Sequence, residues 1–504
     1  MKNIYKSSLV CLLLIAASCQ DYLDVNFDPR NPQVAQGFAV LPPVLGQMAR
    51  GEAFDTRFIG AYIQNWSTRT ANNVWDLHGF VSGSDSGGEI WRSHYWSIGK
   101  NIDVIIEDAS AKGQWDYVGA AYAIRAWSWQ TLTDYHGEAI LKEAWEPNRY
   151  VFDYDSQPEI YAEVIRLCGL ALENLNKTGD GVDEASLGRG DLVYKGKRDK
   201  WIKFVYAILA RNANHLSNKS IYTPDKVIEY VDKSLSSNAD NFAIPHAGTS
   251  STDANFYGPL RANLTNFRPT KFFVSLLNGA VFKGVVDPRI SLMMTASPDG
   301  IFRGITPSKV DTTFATDDAK RMPTLWGGSP ALATTAQPNN KYVFFNNAAH
   351  YIITYPELQF MKAEAAFIKG DKNMALDAFK KGITAHMDFC KVSAANRDAY
   401  LSSAAIPQVA ADLKISDIMM QKYISLWVIG SIESWVDMRR YHYDPNVYKG
   451  FELPNPLASG NNNKPAYRVR PRYNSEYVWN LETLNKLGGS DLDYHTRELW
   501  FSQK

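Results

Sequence analysis

The chain has 504 residues, and its 53 Lys+Arg residues are balanced by 53 Asp+Glu, so the formal net charge is zero. A neutral chain lacks the positive field that attracts proteins to nucleic acid or anionic lipid, and we therefore expect no nucleic-acid partner. Hydrophobic residues make up 45% and charged residues 21% of the sequence, which is typical of a globular protein and excludes disordered and collagen-like classes. The length allows several domains or one large helical array.

The N-terminus has the pattern of an export signal. Lys2 and Lys6 precede the apolar run 9–17, which contains no charge. Nine residues suit the core of a signal peptide, whereas a membrane-spanning helix needs about 20. Small residues lead directly to Cys19, an order that resembles a bacterial lipobox, in which the cysteine becomes the lipidated first residue. An ordinary signal peptide with an incidental cysteine is the alternative.

These features predict how the chain is divided. Residues 1–18 are expected to be the lipoprotein signal peptide, 19–43 the lipidated tether, and 44–504 a single body. No later segment of the sequence is apolar for long enough to cross a bilayer, so we expect this body to be held at the membrane by its lipid alone. Cys168 and Cys390 are the other cysteines of the mature chain, and the sequence leaves open whether they are free or bridged.

Helical periodicity dominates the body. Apolar residues recur at a spacing of 3.6 in five segments, 44–63, 117–132, 160–175, 201–216 and 225–235. Residues 355–383 predict a helical hairpin that turns at Gly370-Asp371, and the spacing of Ala375 and Phe379 resembles a tetratricopeptide unit. The predicted fold class is therefore mostly α, a tetratricopeptide-like helical repeat scaffold with a loop-rich, irregular ligand-binding region.

Two loop-rich zones, 64–94 and 247–347, separate the helical blocks and carry many Gly, Pro, Ser, Thr and Asn residues. The second zone has room for a few short strands, for instance at 342–345. Binding residues are often found on loops that a rigid scaffold holds in place, so we expect the ligand site in these zones.

The sequence contains no convincing catalytic or metal-binding motif. Ser84-Asp85-Ser86-Gly87-Gly88 is similar to the surroundings of a serine-protease nucleophile, but its helical context favours a flexible loop. The spacing Asp24-x-Asn26-x-Asp28 begins like a calcium loop, yet Pro29 stands where the turn needs glycine. There is no His-x3-His pair and no phosphate-binding glycine loop. We therefore predict no catalytic residue, no metal site and no cofactor.

Aromatic residues interleaved with polar ones are the positive signal of the loop zones. The flat faces of indole rings pack on the C–H face of a sugar while amide and charged groups bond its hydroxyls, and the same set also suits a peptide. Trp91, Tyr95 and Ile98 have helical spacing and are assigned to packing. Trp326 is flanked by glycines that would hold it on an exposed turn. The predicted ligand-binding residues are Trp66, Arg69, Asn72, Asn73, Trp75, Asp76, His78 and Trp326.

Several motifs, in order along most of the chain, resemble the SusD/RagB family of surface nutrient-binding lipoproteins, in its SusD-like branch. The early element is Asn26-Phe27-Asp28-Pro29-Arg30-Asn31-Pro32. The later elements are Arg125-Ala126-Trp127, Leu132-Thr133-Asp134-Tyr135-His136-Gly137, Lys200-Trp201, Asp287-Pro288-Arg289, Ile418-Met419-Met420-Gln421-Lys422-Tyr423, Glu433-Ser434-Trp435-Val436-Asp437-Met438-Arg439-Arg440 and Arg470-Pro471-Arg472-Tyr473.

The resemblance implies a scaffold of four tetratricopeptide-like helical pairs and an irregular region that forms the ligand site. It also implies a SusC-like TonB-dependent outer-membrane transporter as the partner, which receives a glycan or peptide when the lipoprotein closes over it as a lid. Glu433, Arg439 and Arg440 are interpreted as charges paired in or near the helical core, because buried charges in proteins are normally paired.

The leading hypothesis from the sequence is a cell-surface, lipid-anchored protein that captures an oligosaccharide without turnover. Peptide capture is the main alternative, with Arg69, Arg261 or Arg268 holding a carboxylate in bidentate fashion. A glycoside hydrolase would need two carboxylates about 5 to 9.5 Å apart, which sequence cannot test. The third alternative is an assembly protein whose loops only grip the transporter.

Overall fold

The computed structural model describes residues 35–313, 319–328 and 341–504. The predicted lipidation site Cys19 and the early Asn26–Pro32 motif lie outside these residues. The helices are α1 (Gly37–Tyr62), α2 (Glu89–Arg92), α3 (Lys100–Ala111), α4 (Trp115–His136), α5 (Gln157–Asn176), α6 (Glu184–Gly188), α7 (Arg198–His215), α8 (Pro224–Lys233), α9 (Lys271–Leu277), α10 (Ile290–Met293), α11 (Tyr355–Lys369), α12 (Lys372–Phe389), α13 (Ala394–Leu401), α14 (Ile415–Leu426), α15 (Ser431–Arg440) and α16 (Leu481–Lys486).

The strands are short and belong to the loop regions. They are β1 (Trp66–Thr68), β2 (Phe242–Ile244), β3 (Phe267–Pro269) and β4 (His350–Ile353). β1 pairs with β3, and β2 pairs with β4, each in antiparallel register. In the described part of the chain, the sheets therefore join distant loops and do not form a layer of the fold.

The long helices pack in consecutive pairs, which confirms the predicted tetratricopeptide-like scaffold. α4 packs on α5, α7 on α8, and α11 on α12, and successive pairs meet where α5 contacts α7 and α8 contacts α11. α14 extends the array by packing on α11, and α15 follows α14 to complete a fourth pair. Within 35–313, 319–328 and 341–504, no helix is both long and apolar enough to span a membrane.

The hairpin α11–α12 shows how the sequence specifies this packing. Gly370 ends α11 in the left-handed conformation (φ 92°), and the Asp371 side chain caps α12 by accepting a hydrogen bond from the Met374 amide at 3.0 Å. Between the helices, a Cβ on Gly382 would lie 2.8 Å from the Phe360 ring, so glycine is needed for the two helices to approach. The hairpin and its turn were both predicted correctly from the sequence.

Two local predictions were wrong. Pro42 and Pro43 were expected to precede the first helix, but both lie inside α1, so residues 37–43 of the expected tether belong to the folded body. Leu41 and Val44 are both 0% exposed, and their burial stabilises the helical turn at Pro42 and Pro43, although the prolines lack amide donors. Residues 342–345 were expected to form a strand but form a turn, with Tyr342 in the left-handed region (φ 48°), and the strand forms at β4 instead.

A buried cluster of charges connects α7, α11, α14 and α15. The Lys422 ammonium lies 3.2 Å from Glu433 and 2.8 Å from Asp437, and all three side chains are nearly inaccessible. Arg440 contacts Asp437 at 2.5 Å and Glu364 of α11 at 2.8 Å. The prediction that Glu433 and Arg440 are paired in the core is confirmed, and each charge is compensated by a neighbour on another turn or another helix.

The same cluster extends to α4 and α7 through His215. Its Nε2 lies 2.8 Å from Glu433, and its Nδ1 lies 3.2 Å from Asp134. Burial opposes the charged imidazolium, but Glu433 and Asp134 outweigh this effect and raise the pKa of His215 to about 9. His215 is therefore protonated at neutral pH. Arg211, one turn earlier on α7, is held by Glu357 of α11 at 2.6 Å.

Arg439 and the two cysteines are also buried. The Arg439 guanidinium lies 3.8 Å from the centre of the Trp435 ring and donates to the carbonyl groups of Asp134 and Tyr467 at 2.7 and 2.9 Å. It is thus bound by carbonyl oxygens and an aromatic face, whereas an ion pair was expected. Cys168 and Cys390 are free thiols in the core, which answers the question that the sequence left open.

We predict that Lys422→Met destabilises the protein by about 3 to 5 kcal/mol, because it leaves Glu433 and Asp437 buried without their common cation. The free energy of unfolding in urea measures the effect. Lys362→Met is the matched control: Lys362 pairs with Asp232, whose side chain is 55% exposed, and the loss should be below about 1 kcal/mol. Equal losses in the two variants would contradict a structural role for the cluster.

We also predict that the free energy of unfolding depends on pH through His215. A histidine whose pKa is raised in the folded state contributes stability that is fully present below its unfolded pKa, about 6.5, and is lost as the pH rises through about 9. Urea unfolding from pH 6 to 10 should show this loss in the wild-type protein. The difference between wild type and His215→Gln should shrink across the same range; a constant difference would contradict the prediction.

Candidate functional site

The two predicted loop zones meet at the β1–β3 ladder. Ser67 of β1 pairs with Arg268 of β3, so the first zone lies directly beside the second. The contact continues beyond the strands, because the Asp311 amide donates to the Arg69 carbonyl at 3.0 Å. Within the second zone, Thr270 forms a parallel bridge to Ile305. Backbone pairing thus holds together loops that are about 200 residues apart in sequence.

A groove runs along this junction and consists of two adjoining cavities. Their volumes are about 710 and 560 Å³, and they share the lining residues Lys271, Thr306 and Lys309. The first cavity is further lined by Gln64, Asn72, Leu77, Phe272, Ser275, Ala280, Val281, Pro307, Ser308 and the segment 450–456 without Phe451. The second is further lined by Val274, Asn278, 302–305, 310–313 and Met322. Such volumes suit a ligand of several rings.

The groove combines an apolar floor with a polar rim. Phe272, Val281 and Leu453 are buried or half-buried in the first cavity, and the half-buried Phe302 lines the second. At the shared rim, Lys271 and Lys309 are exposed, and their ammonium groups have no ion pair or hydrogen bond with any residue that the structure describes. This arrangement can pack on the apolar face of a ligand while donating hydrogen bonds to its edge.

Three of the predicted site residues either line this groove or form hydrogen bonds with residues that line it. Asn72 is exposed and lines the first cavity. Asp76 lies behind it and is buried, and its carboxylate accepts hydrogen bonds from the Ser67 hydroxyl at 2.7 Å and the Ser308 amide at 3.2 Å. Burial raises the pKa of Asp76 to about 6. Asp76 therefore positions Ser308 at the groove wall, while the half-buried Arg69 donates from its guanidinium to Asn266 at 3.0 Å nearby.

The predicted tryptophans are mainly core residues. Trp66 is 0% and Trp326 is 1% exposed, so the expectation that either presents a stacking face to a ligand is wrong. Trp66 is held because its indole donates to the Arg57 carbonyl at 3.2 Å and fills the space beside Gly60, where a Cβ would lie 2.6 Å from the ring. Trp75 is 6% exposed and lines a separate cavity of about 190 Å³ beneath the loop 82–88.

His78 and Asn73 have local structural roles. The His78 ring is fully buried, stacks on Tyr62 with the centroids 4.9 Å apart, and accepts a hydrogen bond from the Ala466 amide. Burial lowers its pKa to about 3, so it is neutral. The Asn73 side chain accepts from the Trp75 amide at 2.9 Å and closes the turn of the loop. Neither side chain lines the groove.

The residues proposed for peptide binding are also separated. Arg268 is 0% exposed and donates to the carbonyl groups of Met322, Thr265 and Phe267, and this burial makes its guanidinium inaccessible to a ligand carboxylate. Arg261 lines a different cavity from the groove. Of the three arginines, only Arg69 is therefore close to the groove.

No catalytic or metal constellation is found among the described residues. Ser86 bonds Ser84, and Asp85 pairs with Arg472 at 2.7 Å, so the serine-rich loop is held by an arginine and not by a histidine. No group of three or more His, Cys, Asp or Glu side chains in this part of the chain could hold a metal ion. Glu452 and Asp311 are the carboxylates among the described lining residues of the groove, and they lie in different cavities.

Sequence reasoning missed most of the groove. Lys271, Phe302 and Lys309 lie within the predicted second loop zone, but no motif distinguished them from its other residues. The segment 450–456 lies outside both predicted loop zones, although its Pro454-Asn455-Pro456 is a clear loop signal. Tertiary contacts alone bring this segment to the groove.

The comparisons agree with this architecture. The family model described as "Starch-binding associating with outer membrane", SusD-like, matches residues 29–473. No curated protein matches the sequence. Among solved structures, a SusD/RagB family protein from Bacteroides thetaiotaomicron is 21% identical, with a TM-score of 0.70 over 93% of this chain and 99% of that chain.

Two further solved structures have printed names that include a ligand. A chitin-binding protein is 20% identical, with a TM-score of 0.70 over 93% of this chain and 99% of its own. A chitin-binding SusD homolog from Flavobacterium johnsoniae is 20% identical, with a TM-score of 0.69 over 92% and 98% of the two chains. At these identities, the likeness establishes the fold. Because the family model spans most of the sequence and the helical array agrees with it, the chain belongs to the SusD-like family, which is associated with the outer membrane.

Proposed function

We propose that this protein captures an oligosaccharide in the groove between its loop zones and does not cleave it. The observation that carries the proposal is the groove itself, in which two adjoining cavities share a lysine-bearing rim above an apolar floor. An oligosaccharide has the matching form, since its rings have apolar faces and its edges carry hydroxyl groups. Family membership and the chitin-binding relatives support a glycan as the ligand.

A peptide ligand is less well supported. Of the three candidate arginines, Arg268 is buried and Arg261 lines another cavity. Arg69, the one close to the groove, lines neither of its cavities and donates to Asn266. Hydrolysis is also disfavoured, because a glycosidase needs two carboxylates on either side of one bond. Glu452 and Asp311 line different cavities, and Asp311 is already engaged by Thr313 at 2.7 Å.

We further propose that Cys19 carries the lipid anchor and that the bound glycan passes to a SusC-like TonB-dependent transporter. The support is the lipobox-like sequence before Cys19 and the family's association with the outer membrane. The groove would then hold the ligand on the cell exterior until the lipoprotein closes on the transporter.

Calorimetric titration of the body that follows Cys19 tests the binding function. Chitin and starch oligosaccharides form the main panel, and mixed peptides are titrated in parallel. Saturable binding of one glycan series, with no new reducing ends after prolonged incubation, is the expected result. New reducing ends would establish an enzyme instead, and binding of peptides alone would contradict glycan capture.

We predict that Phe302→Ala weakens binding of that glycan by about 1 to 2 kcal/mol, because the ring supplies apolar stacking area in the second cavity. Titration gives the change in Kd, and thermal unfolding should show little loss of stability for this half-buried side chain. Trp479→Ala is the control, since Trp479 is 75% exposed and does not line the groove. An unchanged Kd for Phe302→Ala would mean that the glycan does not bind in this cavity.

We predict that Cys19→Ala prevents lipidation and releases the exported protein from the outer-membrane fraction. Fractionation of cells and metabolic labelling with a fatty acid measure the two effects. Cys168→Ala serves as the control, because Cys168 is buried in the core and should leave both the label and the membrane association in place. Retention of label in Cys19→Ala would contradict the predicted anchor.

A further inference from the structure

A further cavity, separate from the groove and from the cavity at Trp75, has a volume of about 370 Å³ and lies between α1 and the loops that follow β2. It shares no lining residue with the groove. Three basic side chains from three separate segments line it: Arg50 of α1, His246 after β2, and Arg261 at the end of a short 3-10 turn. Nothing in the function proposed above requires this cavity.

The positive charge in the cavity is not neutralised by the protein. Among the residues that the structure describes, neither Arg50 nor His246 forms a side-chain hydrogen bond or ion pair, and Arg261 donates from Nε and Nη2 to the carbonyl groups of Ala254 and Thr252 at 2.9 and 3.1 Å. Carbonyl oxygens carry no full charge, so two guanidinium groups line one cavity without a carboxylate bonded to either.

Asp253, the one acidic residue of the lining, is engaged elsewhere. Its carboxylate accepts hydrogen bonds from the Thr249 and Ser250 amides at 2.8 and 2.7 Å and from the Thr249 hydroxyl, which closes its own turn. These bonds lower the pKa of Asp253, so it stays ionised. The cavity lining thus contains one carboxylate and two guanidinium groups, and the hydrogen bonds of that carboxylate are made within its own loop.

The electrostatics of the basic groups agree with a surplus of positive charge. Burial and then the neighbouring Arg50 lower the pKa of Arg261, while Asp253 only partly offsets them. Burial, His350 and Arg261 lower the pKa of His246 to about 4, again against a smaller effect of Asp253. His350 in turn lies 3.5 Å from Glu52. An anion in the cavity would reverse these repulsions and favour the imidazolium form of His246.

The rest of the lining suits the body of a small ligand. Phe256 is 7% exposed and, with Pro42 and Pro43, gives the cavity an apolar wall. A volume of about 370 Å³ exceeds that of a bare oxyanion and lies at the lower end of the range for small-molecule sites. The cavity therefore has room for about one ring beside the charged group.

We propose that this cavity binds a small organic ring that carries a carboxylate, sulfate or phosphate group, with the anionic group held between Arg50, His246 and Arg261. Arginine is well suited to this role, because its planar fork matches oxyanions in bidentate fashion. The site is independent of the groove, so it stands or falls separately from oligosaccharide capture.

The body that follows Cys19 is titrated by calorimetry with glucuronate, glucose 6-sulfate and glucose 6-phosphate, each compared with glucose. Saturable binding of at least one anion, at least ten-fold tighter than glucose and unaffected by Phe302→Ala, is expected. In NMR titrations, that anion should raise the pKa of His246. Failure of all three anions to bind, or glucose binding as tightly as they do, would overturn the proposal.

Two variants locate the site without disturbing the fold. Arg50→Gln removes a cation that has no structural partner and should weaken anion binding at least ten-fold. A Cβ at Gly46, which lines the cavity, would meet no atom within 4 Å, so Gly46→Glu can add a carboxylate there and should abolish binding. Gly46→Gln is the control of nearly equal size and should bind more tightly than Gly46→Glu. Equal anion affinity in wild type, Arg50→Gln and Gly46→Glu would place any binding elsewhere and overturn the assignment.

Discussion

The buried charge cluster around Lys422 is the constraint on which the rest of the structure depends. An ion in the protein interior loses its hydration, and it is tolerated only where opposite charges and hydrogen bonds replace that hydration. Glu433 has to meet Lys422 and His215 together, and Arg440 has to meet Glu364 of a third helix. We infer that the cluster selects the order and register of the helical pairs, since another arrangement of the same helices would leave at least one charge unpaired.

The cluster also determines where the first loop zone begins. α14, which supplies Lys422, and the turn that follows it hold the residues after α1: the Tyr423 hydroxyl donates to the Ile63 carbonyl at 2.8 Å, and the Trp427 indole donates to the Asn65 carbonyl at 2.9 Å. Thr270, at the start of α9, bonds the Gln64 carbonyl between them. The base of the groove is therefore fixed by hydrogen bonds to the helical scaffold, as expected for a preformed binding site.

The aromatic residues of the loop zones explain why tryptophans that were predicted to stack on a ligand lie in the core instead. A tryptophan has a large apolar area and one N–H donor, and both needs are met when it packs in a core and bonds a carbonyl, as Trp66 does with Arg57. Within the loop regions, these rings pack as a small core. The groove surface is a mixture of lysines, amides, hydroxyl groups and aliphatic side chains, with Phe302 as its half-buried aromatic ring, and no sequence pattern marks these residues as a site.

The sequence by itself determined most of the long helices, the turn at Gly370-Asp371, the family and the pairing of Glu433 and Arg440, because periodicity, capping residues and the cost of buried charge act locally or on single side chains. It also located the two loop zones. Only the tertiary structure decided that Pro42 and Pro43 lie within α1, that Trp326 is buried, and that the groove and the cavity at Arg50 and Arg261 form. Those outcomes depend on contacts between residues hundreds of positions apart, such as Ser67 with Arg268, and the side-chain pattern of either loop alone does not encode its partner.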